Sequence, residues 1–436
     1  MTVSKKKSNV SEKEAVTTFK RQVAGLNRAK SFVDWKKLPG FIDKLYFMLE
    51  NLKAGVKDPV IGMELIADFY DTDVSVFNRT NDRSGYLPAI YLNYAPELFA
   101  EYASRCEDKE KIVALILRIL SADFQDVRFS FVDCVVDCLP EPEIRSLINA
   151  FLEKIDSTAL LESERNLDDD DDDDDDPHAY KRRHYYSLIQ SLARQIKDAK
   201  LYEETVVASA KGDVSDYHYY RFAKVYLECD DVETAKAWLE KMSEENNLYP
   251  NDNQEQLWLE IYRRQGQTEQ LIALLRQRFK TDRSVEKLQA LLDVIGEDQR
   301  DTEIAEAVAE ILGSNGIQYT DVDFLIAIGR LDEAEAYLYA RGELLDGHYY
   351  KRLLAYVRAM EPAGKHMVVS LLYRSLLTDI LERKYTKAYP HGVRYLRKLD
   401  ALSPRISEWG RFEHHDAFKQ RMKDEHGKKW SFWQQY

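Results

Sequence analysis

The chain has 436 residues, 76 Asp and Glu against 62 Lys and Arg for a formal charge of −14, and 27 tyrosines but only 17 glycines and 11 prolines. That length can bury sizeable cores in two or three packing units, and the shortage of chain breakers favours a helix-rich fold. The sequence has no series of alternating strands, no apolar run long enough for a membrane span and no overall basic balance, which counts against β-rich, membrane-spanning and general nucleic-acid-binding classes.

Residues 1–10 read as a disordered basic tail. The opening MTVSKKKSNVSEKE has no apolar segment behind its lysines, so no secretory leader is expected and a cytoplasmic location is. Residues 11–162 read as an N-terminal domain of HEAT-like helical repeats. In FIDKLYFMLENL the apolar residues Phe41, Leu45, Met48, Leu49 and Leu52 fall at helical spacing, and Asp58-Pro59 opens the next helix with a proline suited to a first turn. Asn81 to Gly85, NDRSG, has the composition of an ordered loop. Further helices are predicted over about 88–104, 109–121 and 141–155. The run IVALILRIL from Ile112 contains Arg118 and is short, so it is predicted to be a buried helix. The four cysteines, Cys106, Cys134, Cys138 and Cys229, fit reduced thiols; Cys134 and Cys138 lie one helical turn apart with no second pair to complete a zinc site.

Nine of the negative charges form the run Asp168–Asp176, which leaves −5 on the rest of the chain. Adjacent like charges repel and bury nothing, so residues 163–177 read as an acidic disordered linker. The run lacks the spaced ligands and turn glycine of a calcium loop.

Residues 178–383 have a period. The turns Asp230-Asp231-Val232-Glu233, Gly266-Gln267-Thr268-Glu269 and Gly329-Arg330-Leu331-Asp332 align at intervals of 36 and 63 residues, with a degenerate unit expected near Val294-Ile295-Gly296. A period near 34 is that of helix-turn-helix repeats, which must stack to bury their apolar faces. Tyr219, Phe222, Ala223, Tyr226, Ala235 and Leu239 resemble the packing pattern of tetratricopeptide repeats. The predicted fold class is therefore all-α, an α-solenoid of helix-turn-helix repeats.

The triplet HYY recurs at His184, His218 and His348. In the repeat register Tyr185, Leu188, Ile189 and Leu192 superpose on Tyr219, Phe222, Ala223 and Tyr226, and the third copy shifts so that Tyr350, Leu353, Leu354 and Val357 form its stripe. The triplet thus marks the start of a first helix, with one tyrosine of each pair in the core. His218, Tyr220, Arg221 and Lys224 lie off the stripe and are the candidate contacts for a protein or peptide in the groove that such repeats use.

Residues 384–436 read as a basic, aromatic helical cap, with twelve Lys and Arg against six Asp and Glu. Tyr389, His391, Tyr395, Leu396 and Leu399, then Trp409, His415, Phe418, His426, Gly427, Lys428 and Phe432-Trp433, resemble the end of an uncharacterised bacterial family of helical-repeat proteins. That region is also similar to SWIM-type zinc-finger proteins. The SWIM finger needs a Cys-x-Cys pair that this chain lacks, so neither zinc nor its DNA-binding role carries over.

No catalytic motif is present. Gly364-Lys365 lacks the upstream glycine of a phosphate loop, and Asp321-x-Asp323 reads as the acidic first turn of a helix. His414, His415 and His426 read as surface and packing residues; no metal and no cofactor are expected. The functional reading is a non-catalytic scaffold for an unknown protein or peptide. One alternative is nucleic-acid association through Arg394, Lys428 and Lys429 among the terminal aromatics, disfavoured by net charge. The other is an enzyme of unrecognised class.

Overall fold

A computed structural model describes residues 11–121, 127–163, 177–242 and 252–436. The expected basic tail, and all but the edges of the expected acidic linker, lie outside these. Among the described residues the protein is helical, without strands; its helices pack chiefly against sequence neighbours, and one isolated bridge joins Val33 to Thr80. No described helix is long and apolar enough to cross a membrane. Two compact units divide the chain, Met1–Leu257 and Trp258–Tyr436.

Helix starts follow their caps. Ser11 and Glu14 form a reciprocal capping box, and Asp58, Asp108, Asp198 and Asp231 each accept a hydrogen bond from the backbone N–H three residues on. In the helix Leu38–Gly55 the expected stripe buries Leu45, Met48, Leu49 and Leu52 and leaves Phe41 partly buried, while Tyr46 and Phe47 remain exposed. The Ile112 run is the buried face of Lys109–Leu120, with Arg118 outside, paired with Asp68 at 2.9 Å and with Asp71.

The stretch expected as one helix over 88–104 contains a π-helical turn, Ile90–Tyr94, between Tyr86–Ala89 and Ala95–Ala103. Two neighbours meet the carbonyls this leaves. Ala95 N–H donates to Ile90 O, one residue further back than in an α-helix, and the Tyr70 hydroxyl takes the Tyr91 carbonyl at 2.6 Å. Pro96 has no N–H to give Leu92 O, which accepts from Ser130 Oγ at 3.1 Å. Beneath lies a buried pair: the Arg128 guanidinium reaches Asp73 through Nε at 2.6 Å and Nη2 at 3.0 Å, and also the Tyr70 carbonyl.

Glu141–Ser163 and Pro177–Gln195, which flank the aspartate run, pack together, Phe151 stacking on Tyr185 at 5.7 Å. Tyr185, Leu188, Ile189 and Leu192 join the same core as Leu45, Phe69 and Phe99.

A single turn geometry recurs between helices. Lys197, Asp230, Gly266, Gly329 and Gly364, spaced 33, 36, 63 and 35 residues apart, all have left-handed backbone. After each, the next N–H donates to the carbonyl five residues back: Asp198 to Ala193, Asp231 to Tyr226, Gln267 to Tyr262, Arg330 to Leu325 and Lys365 to Met360. This is the Schellman closure of a helix C-terminus. At the expected degenerate position, Gly296 instead closes onto Leu292 and a short 3-10 turn follows.

The HYY triplets do not share one role. His184 to Tyr186 lie within the helix Pro177–Gln195 and not at its start, and the His184 ring contacts the Leu120 carbonyl at 2.8 Å. In the third copy both tyrosines are exposed. Tyr350 begins its helix outside the core and Tyr356 supplies the buried ring, because Gly347, packed on the Ser375 carbonyl, holds the preceding turn against Val368–Leu381 of the neighbouring helix instead.

In the second unit, Phe418, Met422 and Phe432 from the closing segment join the core of Leu292, Phe324 and Leu372, with Phe432 edge-on to Tyr389 at 5.7 Å. Asp321 is buried against Arg283 at 3.0 Å, and Lys365 pairs with Asp332 and Glu335.

Candidate functional site

A cleft of about 1150 Å³ opens in the first unit, walled by residues 32–46 and 81–97. Large rings stand open on it: Trp35 is 74 % exposed, Tyr86 70 %, Phe32 60 % and Tyr46 42 %. A soluble chain seldom leaves so many large apolar side chains together in water without using them.

Each wall is held from behind. Val33 N–H donates to Arg79 O at 2.8 Å, fixing the segment that carries Phe32 and Trp35, and the Arg79 guanidinium lies 4.8 Å over the Phe41 ring. The Asp34 carboxylate accepts from Lys36 N–H at 2.9 Å and Lys37 N–H at 3.1 Å, closing the turn into the helix Leu38–Gly55. On the other wall Asp82 accepts from the Ser84 N–H and hydroxyl at 2.7 and 2.5 Å and from Leu87 N–H at 2.7 Å. Gly85, at φ +79°, makes the left-handed step that starts the helix bearing Tyr86. Burial pushes the Asp82 carboxyl up, but the Ser84 and Leu87 donors outweigh it and hold it below the usual carboxylate range. At the far end Tyr46 and Tyr94 meet at 4.9 Å, and Tyr94 OH donates to Glu50. Burial first, and then that carboxylate, push the Tyr94 phenol up.

The residues singled out from sequence lie elsewhere. On Asp216–Glu228, His218 Nδ1 caps its own helix by accepting the Ser215 N–H at 3.1 Å. Arg221 sits 5.6 Å from both the Tyr202 and Tyr217 rings, Tyr220 is half-buried, and Lys224 points into solvent. In the second unit Arg394 donates to His391 Nδ1 at 2.9 Å, Lys428 is exposed, and Lys429 lies 2.6 Å from His426 Nδ1. Burial, then the charge of Lys384, push the Lys429 ammonium down. Around them Arg397 bonds the Gln435 and Tyr436 carbonyls, Lys398 pairs with Glu361, and Lys419 with Asp400. His415 is buried on Asp400 at 2.8 Å. Among the described residues no three His, Cys, Asp or Glu side chains gather as a metal site.

Sequence reasoning missed the cleft. One signal was available: Tyr46 and Phe47 are surplus apolar residues outside the single stripe that Leu38–Gly55 needs for its core.

The fold and cleft define, among the described residues, an all-helical protein with an aromatic groove. The chain belongs to the family of unknown function DUF6880, whose model matches residues 6–435. No curated protein matches it.

Proposed function

We propose that this protein is a non-catalytic, cytoplasmic helical-repeat scaffold that binds another protein or a peptide, and that the aromatic cleft is its contact surface. The observation carrying this is the exposure of Phe32, Trp35, Tyr46 and Tyr86 around one cavity. Rigid aromatic side chains supply large contact area at small entropic cost, which is why they anchor interfaces. The recurrent left-handed turns at nearly regular spacing support a tetratricopeptide-like stacking of helical hairpins in the second half. A groove contact on Asp216–Glu228 has less behind it, since His218 and Arg221 are engaged within the fold and Lys224 stands alone as an exposed candidate. The nucleic-acid reading is weakened by the internal pairing of Arg397, Lys398 and Lys419.

The test places a photo-reactive benzoylphenylalanine at Tyr86 in the full chain, in the source cells, with the same residue at Tyr350 as a reference. The expected result is a discrete protein adduct from Tyr86 that survives nuclease treatment and maps to one segment of the partner. Nuclease-sensitive adducts, or equal labelling from Tyr350, would overturn the proposal.

A further inference from the structure

The cleft has two walls of helical spacing. Leu38, Ile42 and Tyr46 follow one another along the first, and Tyr86, Ile90 and Asn93 along the second. From Tyr86 to Glu97 the second wall runs about 16 Å, the length of roughly three helical turns. Side chains three and four apart on two helices leave a furrow that a third helix fills with its own i, i+3, i+4, i+7 stripe. In the helical stretches Leu38–Gly55 and Tyr86–Ala103, which carry most of both walls, the backbone is already hydrogen-bonded within the helix and offers no edge to an extended strand.

Acidic groups outnumber basic ones around the furrow. Asp34, Asp43, Asp82 and Glu97 line it with Arg83, while the Lys36 ammonium lies 5.4 Å over the Trp35 ring and Lys37 pairs with Asp34 at 3.9 Å. Asp34 and Asp82 are held by local turns. Asp43 and Glu97, one on each wall, are exposed and make no hydrogen bond or ion pair with the described residues. Two open carboxylates flanking an apolar floor suit a ligand with an apolar face and cationic shoulders.

We infer that the cleft binds an amphipathic helix of about three turns from a partner protein. Its apolar stripe seats on Trp35, Ile42, Tyr46, Tyr86 and Ile90, and its Lys or Arg side chains flank that stripe and pair with Asp43 and Glu97. This rests on the reading of the cleft as a protein-binding surface and adds the conformation and charge of what it binds.

The test uses the full-length chain and fluorescein-labelled model peptides of about twelve residues in an anisotropy titration. One peptide carries a helical leucine stripe flanked by lysine; the others replace lysine by glutamate, replace it by glutamine, or place proline at the centre. The lysine peptide is expected to bind tightest, and the glutamate and proline peptides at least about tenfold more weakly. In the chain, the double substitution Asp43→Asn and Glu97→Gln is expected to bring the lysine peptide down to the affinity of the glutamine peptide and to flatten its salt dependence, leaving the glutamine peptide unchanged. Trp35→Ala with Tyr86→Ala is expected to weaken every peptide. If lysine and glutamate peptides bind alike, or the proline peptide binds as well as its parent, the charge or helix inference fails while the cleft remains a binding surface. If the lysine peptide binds the double variant undiminished, its attraction is to the general acidity of the chain and the inference fails. If no peptide binds the native chain, the inference and the reading of the cleft fall together.

Discussion

Asp82 shows how one side chain holds a functional surface in shape. Its three accepted hydrogen bonds fold residues 82–87 and so orient Tyr86, and its carboxyl titrates below the ordinary value of 3.8. A depressed folded pKa means that the stabilisation is fully present above the unfolded value and is lost as pH falls through the folded one. Asn keeps one acceptor oxygen and loses the other with the charge, so Asp82→Asn is expected to cost about 1 kcal/mol at neutral pH, as loss of one hydrogen bond does, with the gap closing below the ordinary carboxylate range. Urea unfolding of both chains at neutral and acid pH checks this; a gap that widens in acid would contradict it. The Asp73–Arg128 pair sits deeper and has no water to fall back on. Asp73→Asn leaves the buried guanidinium with the more distant and half-exposed Asp71, at 3.7 Å, as its counter-charge, and a loss of about 3 kcal/mol is expected in the same assay. The Asn81–Gly85 loop was legible in the sequence as an ordered turn because its residue types act locally. The Asp73–Arg128 pair was not, since 55 residues separate partners that only the fold brings together.

At the scale of helices and turns, the recurring left-handed residue makes a direct stability prediction. Glycine meets that demand at Gly266, Gly329 and Gly364, but Lys197 adopts φ 57° with a Cβ in place. The left-handed conformation costs a non-glycine residue about 1–2 kcal/mol, of which glycine's freedom in the unfolded chain returns part. Lys197→Gly is expected to raise the urea midpoint, with a net gain of about 0.5–1 kcal/mol. Gly329→Ala, at φ 77°, is expected to lower it. An unchanged midpoint in both would mean that these turns carry no strain. The alignment of Asp230, Gly266 and Gly329 was visible in the sequence because turn chemistry is local and periodic. The π-helical turn Ile90–Tyr94 was not: Pro96 only removes a donor, and whether the chain shifts register depends on Tyr70 and Ser130 being present to take the carbonyls left over.

At the scale of the whole molecule, each unit has its own apolar core and its stability is read in its own amides. Leu372 is fully buried in the second core, so Leu372→Ala is expected to cost about 2–5 kcal/mol, seen as faster hydrogen exchange across the helices of residues 258–436. Unchanged exchange there would remove Leu372 from that core. The helical class, the caps and most buried stripes were settled by the sequence alone, because they depend on spacing and on residues within a turn or two of each other. The cleft was decided only by tertiary structure. Nothing in the sequence gathers Phe32, Trp35, Tyr46 and Tyr86 on one surface, and of the stripe that begins at Tyr350, Leu353 and Val357 are buried while Tyr350 itself is exposed. Periodicity says which residues share a face; what covers that face depends on segments far apart in the chain. Burial of Leu45, Met48 and Leu49 used up the inner side of Leu38–Gly55, and on its outer side Tyr46 and Phe47 stay exposed, Tyr46 meeting Tyr94 across the cleft.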